Sequence, residues 1–370
     1  MNDVLAGARW RSESGAPRPD RVEIADDRMT ADVAFRLASG GTALVWRGDF
    51  VNARQLLSAM GRRVERSRRR VPLASTVDEF RRHRQARARR ARILGMLLVP
   101  LEDGYEVPLR RAPDVRDACR EAYGESDGPS VVALRELLGV VGAHEWRRKG
   151  VDVPALGAKI HPHYGVFSPV RGEYVDLVAG AALPSAELAF DIGTGSGVLA
   201  ALLARRGVAK VVATDADDRA LACARDNIGR LGCADTVEVV RADLFPPGRA
   251  PLVVCNPPWV PAKPSSPLEH AVYDPGSRML RGFLGGLPAH LADGGEGWLV
   301  LSDFAEHLGL RTRDELLGWI DAAGLVVLDR ADIAPRHPKA ADRDDPLHHA
   351  RAAETTSLWR LGRADPVPQR

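Results

Sequence analysis

No stretch of this chain runs through eighteen apolar residues, although 45% of its residues are hydrophobic. That pattern supplies a sizeable core and leaves no candidate for a membrane-spanning helix. The opening Met1-Asn2-Asp3-Val4-Leu5 lacks a basic stretch followed by an apolar run, which predicts no secretory signal and a cytoplasmic location. Cysteine is scarce. Cys119, Cys223, Cys233 and Cys255 are scattered with no pair at metal-ligand or redox spacing, which argues against a zinc site or a disulfide framework and fits free thiols in a reducing compartment. Lysine is nearly absent, with five residues among the 52 basic ones, and no internal repeat is visible.

Arginine takes lysine's place, unevenly. Residues 1–100 carry 21 Arg against 11 Asp plus Glu, a net of +10, while the remainder is net −7. Thirteen of those arginines lie between Arg62 and Arg92, Arg68, Arg69 and Arg70 among them, facing only Glu65, Asp78 and Glu79. A basic patch of this kind attracts phosphates, so these three arginines are candidate substrate contacts and a nucleic acid is a candidate partner. The alternative is a solvated face in an arginine-rich composition.

A chain of 370 residues suggests two domains. Residues 1–150 read as a smaller α+β domain. Thr42–Trp46 has a strand pattern, and Phe50–Arg66 places Val51, Leu56, Leu57, Met60 and Val64 on one side of a helix. Leu97–Leu101 and Tyr105–Leu109 flank Asp103-Gly104 as a hairpin would, and Pro113–Tyr123 and Ser130–Trp146 read as helices. From about Ser185, within a second domain of residues 151–370, short apolar runs alternate with amphipathic segments. This is the signature of a mostly parallel, doubly wound sheet. Seven strands are expected: Glu187–Asp191, Lys210–Asp215, Val237–Arg241, Leu252–Asn256, Gly297–Ser302, Leu325–Asp329 and Thr356–Trp359. Between the last two, a polar insertion from Arg336 to Glu354 gathers His337, His348 and His349 beside Asp342, Asp344 and Asp345. It has no fixed ligand spacing, and no metal is expected.

Phe190-Asp191-Ile192-Gly193-Thr194-Gly195-Ser196-Gly197 follows the first of these strands and opens a helix from Val198 to Arg206. Its glycines permit a tight turn and a close approach of backbone to a ligand. Asp215 ends the next strand, where a carboxylate can accept both ribose hydroxyls, and Asp243 ends the third, where it can accept from an adenine amino group. A dinucleotide-binding dehydrogenase also uses a glycine-rich turn, but the Asp-x-Gly-x-Gly-x-Gly arrangement favours another cofactor.

Over residues 160–362 the chain resembles the class I S-adenosylmethionine-dependent methyltransferases, which have a seven-stranded Rossmann-like sheet. The resemblance implies that Asp191, Gly193, Gly195 and Gly197 hold the amino-acid part of S-adenosylmethionine, that Asp215 holds its ribose and that Asp243 contacts its adenine.

Asn256-Pro257-Pro258-Trp259 then follows the apolar strand Leu252–Cys255. Two prolines stiffen this loop, so the Asn256 side-chain carbonyl and the Pro257 backbone carbonyl can accept both hydrogens of a substrate NH2 and aim its lone pair. Trp259, next to Pro258, offers a face on which a base or amide plane can stack. The tetrapeptide looks like the Asn-Pro-Pro-aromatic motif of amino-methyltransferases acting on adenine or guanine in nucleic acids and on glutamine in proteins, where Tyr or Phe is commoner than Trp. Tyr273–Leu280 is loosely similar to a segment of the protein-glutamine enzymes, and Gly165–Glu173 lies where those enzymes place a cofactor lid. The expectation is N-methylation of an exocyclic base nitrogen in RNA or DNA. The alternatives are a protein-glutamine N5-methyltransferase acting on a translation factor or ribosomal protein, a small-molecule amine methyltransferase, and a non-enzymatic RNA-binding protein with a vestigial cofactor fold.

Overall fold

The computed structural model describes residues 7–66, 75–169, 172–264, 269, 271–336 and 338–364. Its chain divides into two compact units, Met1–Glu145 and Trp146–Arg370, so the division falls inside a helix, where the sequence suggested residue 150.

The first unit is built on strands β1 (Arg9–Arg11), β2 (Arg21–Ala25), β3 (Thr42–Trp46), β4 (Leu97–Leu101) and β5 (Ser130–Ala133) in the order β1-β5-β4-β3-β2. Helices α1 (Ala31–Ser39), α2 (Phe50–Arg66), α3 (Thr76–Leu94), α4 (Arg116–Tyr123) and α5 (Leu134–Lys149) complete it. On α2, Phe50, Ala53, Leu56, Leu57, Met60 and Val64 recur every three or four residues and form one buried stripe. β3 is buried at every position, as a strand with neighbours on both sides and cover on both faces must be. The arginine-rich helix α3 holds its start with the Ser75 side chain, which accepts from Asp78 N. Asp78 and Glu79 lie in its first turn and Arg92 in its last, the polarity the helix dipole favours.

Two expectations fail here for identifiable reasons. No hairpin forms at Asp103-Gly104. Pro108 cannot donate to a ladder, Gly104 and Tyr105 both take left-handed backbone angles in a single 3-10 turn, and β4 pairs parallel with β3 and antiparallel with β5. The segment beginning at Ser130 is first a strand and only then a helix, because β-branched Val131 and Val132 fit the sheet.

In the second unit a two-stranded ribbon of β6 (Val151–Val153) and β7 (Ala158–Ile160) leads through α6 (Glu173–Gly180) into a seven-stranded sheet. Its strands are β8 (Leu188–Ile192), β9 (Lys210–Asp215), β10 (Val237–Arg241), β11 (Ala250–Cys255), β12 (Leu291–Ser302), β13 (Leu325–Ile333) and β14 (Thr356–Arg363), ordered β10-β9-β8-β11-β12-β14-β13. Five strands pair in parallel, and antiparallel β14 is inserted between β12 and β13. This is the doubly wound, Rossmann-like sheet that the resemblance implies. The helices are α7 (Val198–Arg205), α8 (Asp218–Arg230), α9 (Arg278–His290), α10 (Phe304–His307), α11 (Arg313–Ala322), α12 (Pro338–Ala341) and α13 (His348–Ala353).

Alternate residues of the central strands feed two separate cores. Ala189, Val211, Ala213, Leu252, Val254, Trp298 and Val300 pack with α6, α7 and Ile228 of α8, whereas Phe190, Ile192, Val212, Val253, Cys255, Leu299 and Leu301 pack with α9 and α11. Each large side chain buried in this way contributes about 1.5–3 kcal/mol. The strands are therefore anchored through both faces, and their carboxyl ends are fixed relative to one another.

Candidate active site

Register sets the level at which each loop leaves the sheet. Ile192 lies beside Thr214 and Cys255, and Asp215 lies beside Arg241. The glycine turn, Asp215, Asp243 and Asn256 therefore all emerge at one edge, around the strand β8 at which the winding reverses. The structure brings these expected residues together. Arg68, Arg69 and Arg70 lie outside the described residues.

The turn after β8 is held from within. Asp191 is buried, and its Oδ2 accepts from Thr194 Oγ1 at 2.6 Å and from Ala200 N at 3.1 Å. Burial pushes its carboxyl up to about 6, partly offset by those two bonds, while the nearby charge of Asp215 pushes the same way as burial. Gly193 and Gly197 have φ of 69° and 80°, in the left-handed region, and a Cβ would strike Met279 Cε at Gly193 and crowd Ala224 at Gly197. Asp215 Oδ2 accepts from Gly195 N at 3.0 Å and its Oδ1 from Asp217 N at 3.0 Å, and burial also raises this carboxyl. Asp217 then caps α8 by accepting from Arg219 N and Ala220 N. Asp243 is exposed and pairs with Arg278 at 2.9 Å.

Asn256 is the first residue past β11, where the sequence reading had placed it inside the strand. Its Oδ1 accepts from Trp259 Nε1 at 2.8 Å. Pro257 is buried, Pro258 half-buried, and the half-buried Trp259 ring packs against both cores. The loop is secured by a bridge between Val260 and Tyr273 and by Asp274 N donating to Val260 O at 2.8 Å.

Three contributors escaped the sequence reading. Buried Asp274 accepts from Met279 N and Leu280 N, closing the first turn of α9, where Ser277 holds a left-handed φ of 54° without a side-chain cap. The signal was present as Asp274-Pro275 ahead of an apolar helix pattern. Asn227 of α8 is fully buried. Its Nδ2 donates to Ser196 O at 3.0 Å and His161 O at 3.3 Å, and its Oδ1 accepts from His161 N at 2.7 Å, so it clasps the glycine turn to the segment after β7. Nothing local in the sequence announces that contact. In the segment that follows, the Arg219 guanidinium lies over the Tyr164 ring.

The insertion between β13 and β14 folds into α12 and α13 and lies at the same sheet edge as the tetrapeptide. Thr355 N donates to Asp303 Oδ1, Ser302 Oγ donates to Glu354, and Arg336 N donates to Glu173 at the start of α6. His337 is outside the described residues, and among those described no three His, Cys, Asp or Glu side chains gather as a metal ion requires. No helix among them is long and apolar enough to cross a membrane. On α3, Arg81 pairs with Asp78 and Arg90 with Glu65, while Arg87, Arg89 and Arg92 are exposed.

Residues 180–257 match the family model described as ribosomal protein L11 methyltransferase (PrmA). The chain is 34% identical to the release factor glutamine methyltransferase of Cereibacter sphaeroides across 42% of its own length and 58% of that protein. It is 49% identical to the ribosomal protein L11 methyltransferase of Pelotomaculum thermopropionicum across 18% of its length and 22% of that protein. With the tRNA1(Val) (adenine(37)-N6)-methyltransferase of Bacteroides thetaiotaomicron the identity is 36%, across 22% of the chain and 37% of that protein. The chain thus spans less than two thirds of these curated relatives. Among solved structures, a ribosomal protein L11 methylase from Lactobacillus delbrueckii subsp. bulgaricus aligns with a TM-score of 0.38 and 17% identity, over 56% of this chain and 86% of that one.

Proposed function

We propose that this chain is an S-adenosylmethionine-dependent N-methyltransferase whose acceptor is a planar amino group, with an exocyclic base nitrogen of RNA as the first candidate. The observation that carries the reading is the position of Asn256-Pro257-Pro258-Trp259, which leaves β11 at the sheet edge that also holds the glycine turn and Asp215. The residues present fit the cofactor. The turn is open at Gly195, where a Cβ would meet no heavy atom beyond its chain neighbours within 4 Å, and the buried Asp191 and half-buried Asp215 carboxylates suit a ligand bearing an ammonium and ribose hydroxyls. Asp215 is assigned to the ribose and Asp243 to the adenine edge. Asp191 acts mainly through the turn that it holds.

Bound there, S-adenosylmethionine supplies an electrophilic methyl group on a sulfonium. Asn256 Oδ1 and the Pro257 carbonyl accept the two amino hydrogens and orient the nitrogen for attack. Their dipoles stabilise the positive charge that develops on that nitrogen. Pro258 and Trp259 shape the walls around it. The arginine-rich segment 62–92, with Arg68, Arg69 and Arg70, is assigned to phosphate contacts in an N-terminal recognition domain.

Similarity to a release factor glutamine methyltransferase over 42% of the chain supports a second acceptor, a glutamine side chain of a translation-associated protein, which presents the same planar NH2. The test is incubation of the purified chain with methyl-labelled S-adenosylmethionine and a cell extract, followed by separate nuclease and protease digestion. Label released by nuclease supports the RNA acceptor, and label released by protease transfers the assignment to protein. A chain that transfers no label and does not bind the cofactor is no methyltransferase.

A further inference from the structure

An indole nitrogen carries one hydrogen and offers no acceptor, so it can face only an oxygen. Trp259 Nε1 lies 2.8 Å from Asn256 Oδ1. A half-turn of the carboxamide would bring Nδ2 against the indole hydrogen, donor against donor, so this contact selects one of the two orientations of the amide. The selecting ring is itself held, because Trp259 packs against the cores on both faces of the sheet. A carboxamide oxygen has two acceptor sites, and the indole uses one. The second remains for the acceptor amine.

We propose that Trp259 is a positioning residue. By donating to Asn256 Oδ1, it locks the carboxamide with its oxygen, and not its NH2, toward the reacting nitrogen. A phenylalanine at this position preserves an aromatic wall and has no such donor. The indole therefore has a chemical role that is separate from stacking. This inference rests on the cofactor and amino-group reading above.

The test needs no identified acceptor, because sinefungin carries an amine in place of the transferred methyl group and so probes Asn256 Oδ1 directly. Calorimetry on the full chain compares sinefungin with S-adenosylhomocysteine, which lacks that amine. Wild type is expected to prefer sinefungin. Trp259→Phe is expected to cut that preference roughly tenfold, the scale of one hydrogen bond to a charged group. Its S-adenosylhomocysteine affinity, which also reports correct folding, should stay within about twofold. In an Asn256→Asp background either carboxylate oxygen can accept, so no orientation needs locking and Trp259→Phe should leave the preference unaltered.

An unchanged preference in Trp259→Phe alone, or an equal loss in both backgrounds, would show that the indole acts only by packing and would overturn the inference. Wild type binding both ligands equally would overturn the amino-group reading, and wild type binding neither would overturn the cofactor reading. Should Trp259→Phe not fold, nitrogen-15 spectra of the wild type and Asn256→Ala decide the matter. Faster exchange of the Trp259 indole hydrogen in Asn256→Ala supports the bond, and unchanged exchange overturns it.

Discussion

At the scale of single residues, the proposed function gives Asn256 a part in the transition state and Asp215 a part in cofactor binding. In the proposed reaction the carboxamide of Asn256 holds the acceptor nitrogen and interacts with it more strongly as that nitrogen gains charge, so its removal should slow transfer and leave cofactor binding alone. Asn256→Ala is expected to lose about 100- to 1,000-fold in turnover, with S-adenosylmethionine affinity nearly unchanged, in single-turnover assays on the acceptor found by extract labelling. Near-normal turnover would reduce the tetrapeptide to a rigid turn. Asp215 behaves in the opposite way. Its carboxylate is already positioned by Gly195 N and Asp217 N, and it is assigned to the ribose hydroxyls. Asp215→Ala should therefore weaken S-adenosylhomocysteine binding by about tenfold or more, given roughly 1.5–3 kcal/mol for each hydrogen bond to a charged group. Calorimetry with a thermal melt as a folding control checks it, and an unaltered Kd would displace the ribose from this carboxylate.

Among the elements, α3 carries the clearest prediction. Arg81, Arg84, Arg89 and Arg92 lie along its length, and replacing all four with Gln should weaken RNA binding and flatten its salt dependence. Every phosphate that is no longer neutralised makes the log–log slope shallower by roughly 0.7–0.9. Filter binding across a salt series measures this, and a slope equal to that of wild type would leave α3 a solvated face. The same scale explains what was legible in the sequence. The inner strands β8, β11 and β12 were readable because burial on both faces demands apolar runs, and β9 and β10 span the residues that the sequence predicts. β1 and β2 were not readable, because Arg9-Trp10-Arg11 and Arg21–Ala25 are short edge strands with mostly polar or exposed positions. The site divides in the same way. The glycine turn, Asp215 and the tetrapeptide announce themselves by local spacing, whereas the Asn227 clasp joins residues 31 and 66 positions apart and leaves no local trace.

For the molecule as a whole, two buried or partly buried acids tilt stability against pH in opposite directions. Asp191 rises from 3.8 to about 6, so between those values the folded chain holds a proton that the unfolded chain has released. Stability therefore falls as pH climbs through that window, by roughly 3 kcal/mol in total. Asp226 is lowered to about 2: burial alone would raise it, but hydrogen bonds from His163, Arg230 and Arg147 outweigh that. Its contribution is complete above about 4 and is lost as pH falls toward 2. Thermal melts from about pH 3 to 8 should thus show a decline above about pH 4 that Asp191→Asn flattens, and a profile unchanged by that substitution would refute the assignment. On the proposed placement of the cofactor's ammonium near the turn that Asp191 holds, S-adenosylhomocysteine should raise Tm more at about pH 7.5 than at about pH 5.

The position of β14 has a consequence for how the chain matures. It comes last in the sheet yet lies between β12 and β13, which do not touch each other across it. While the polypeptide is being synthesised, β13 has no ladder to join until residues 356–363 have cleared the ribosome. The edge that carries Val326, Val327 and Leu328 therefore cannot take its place in the sheet before β14 has emerged.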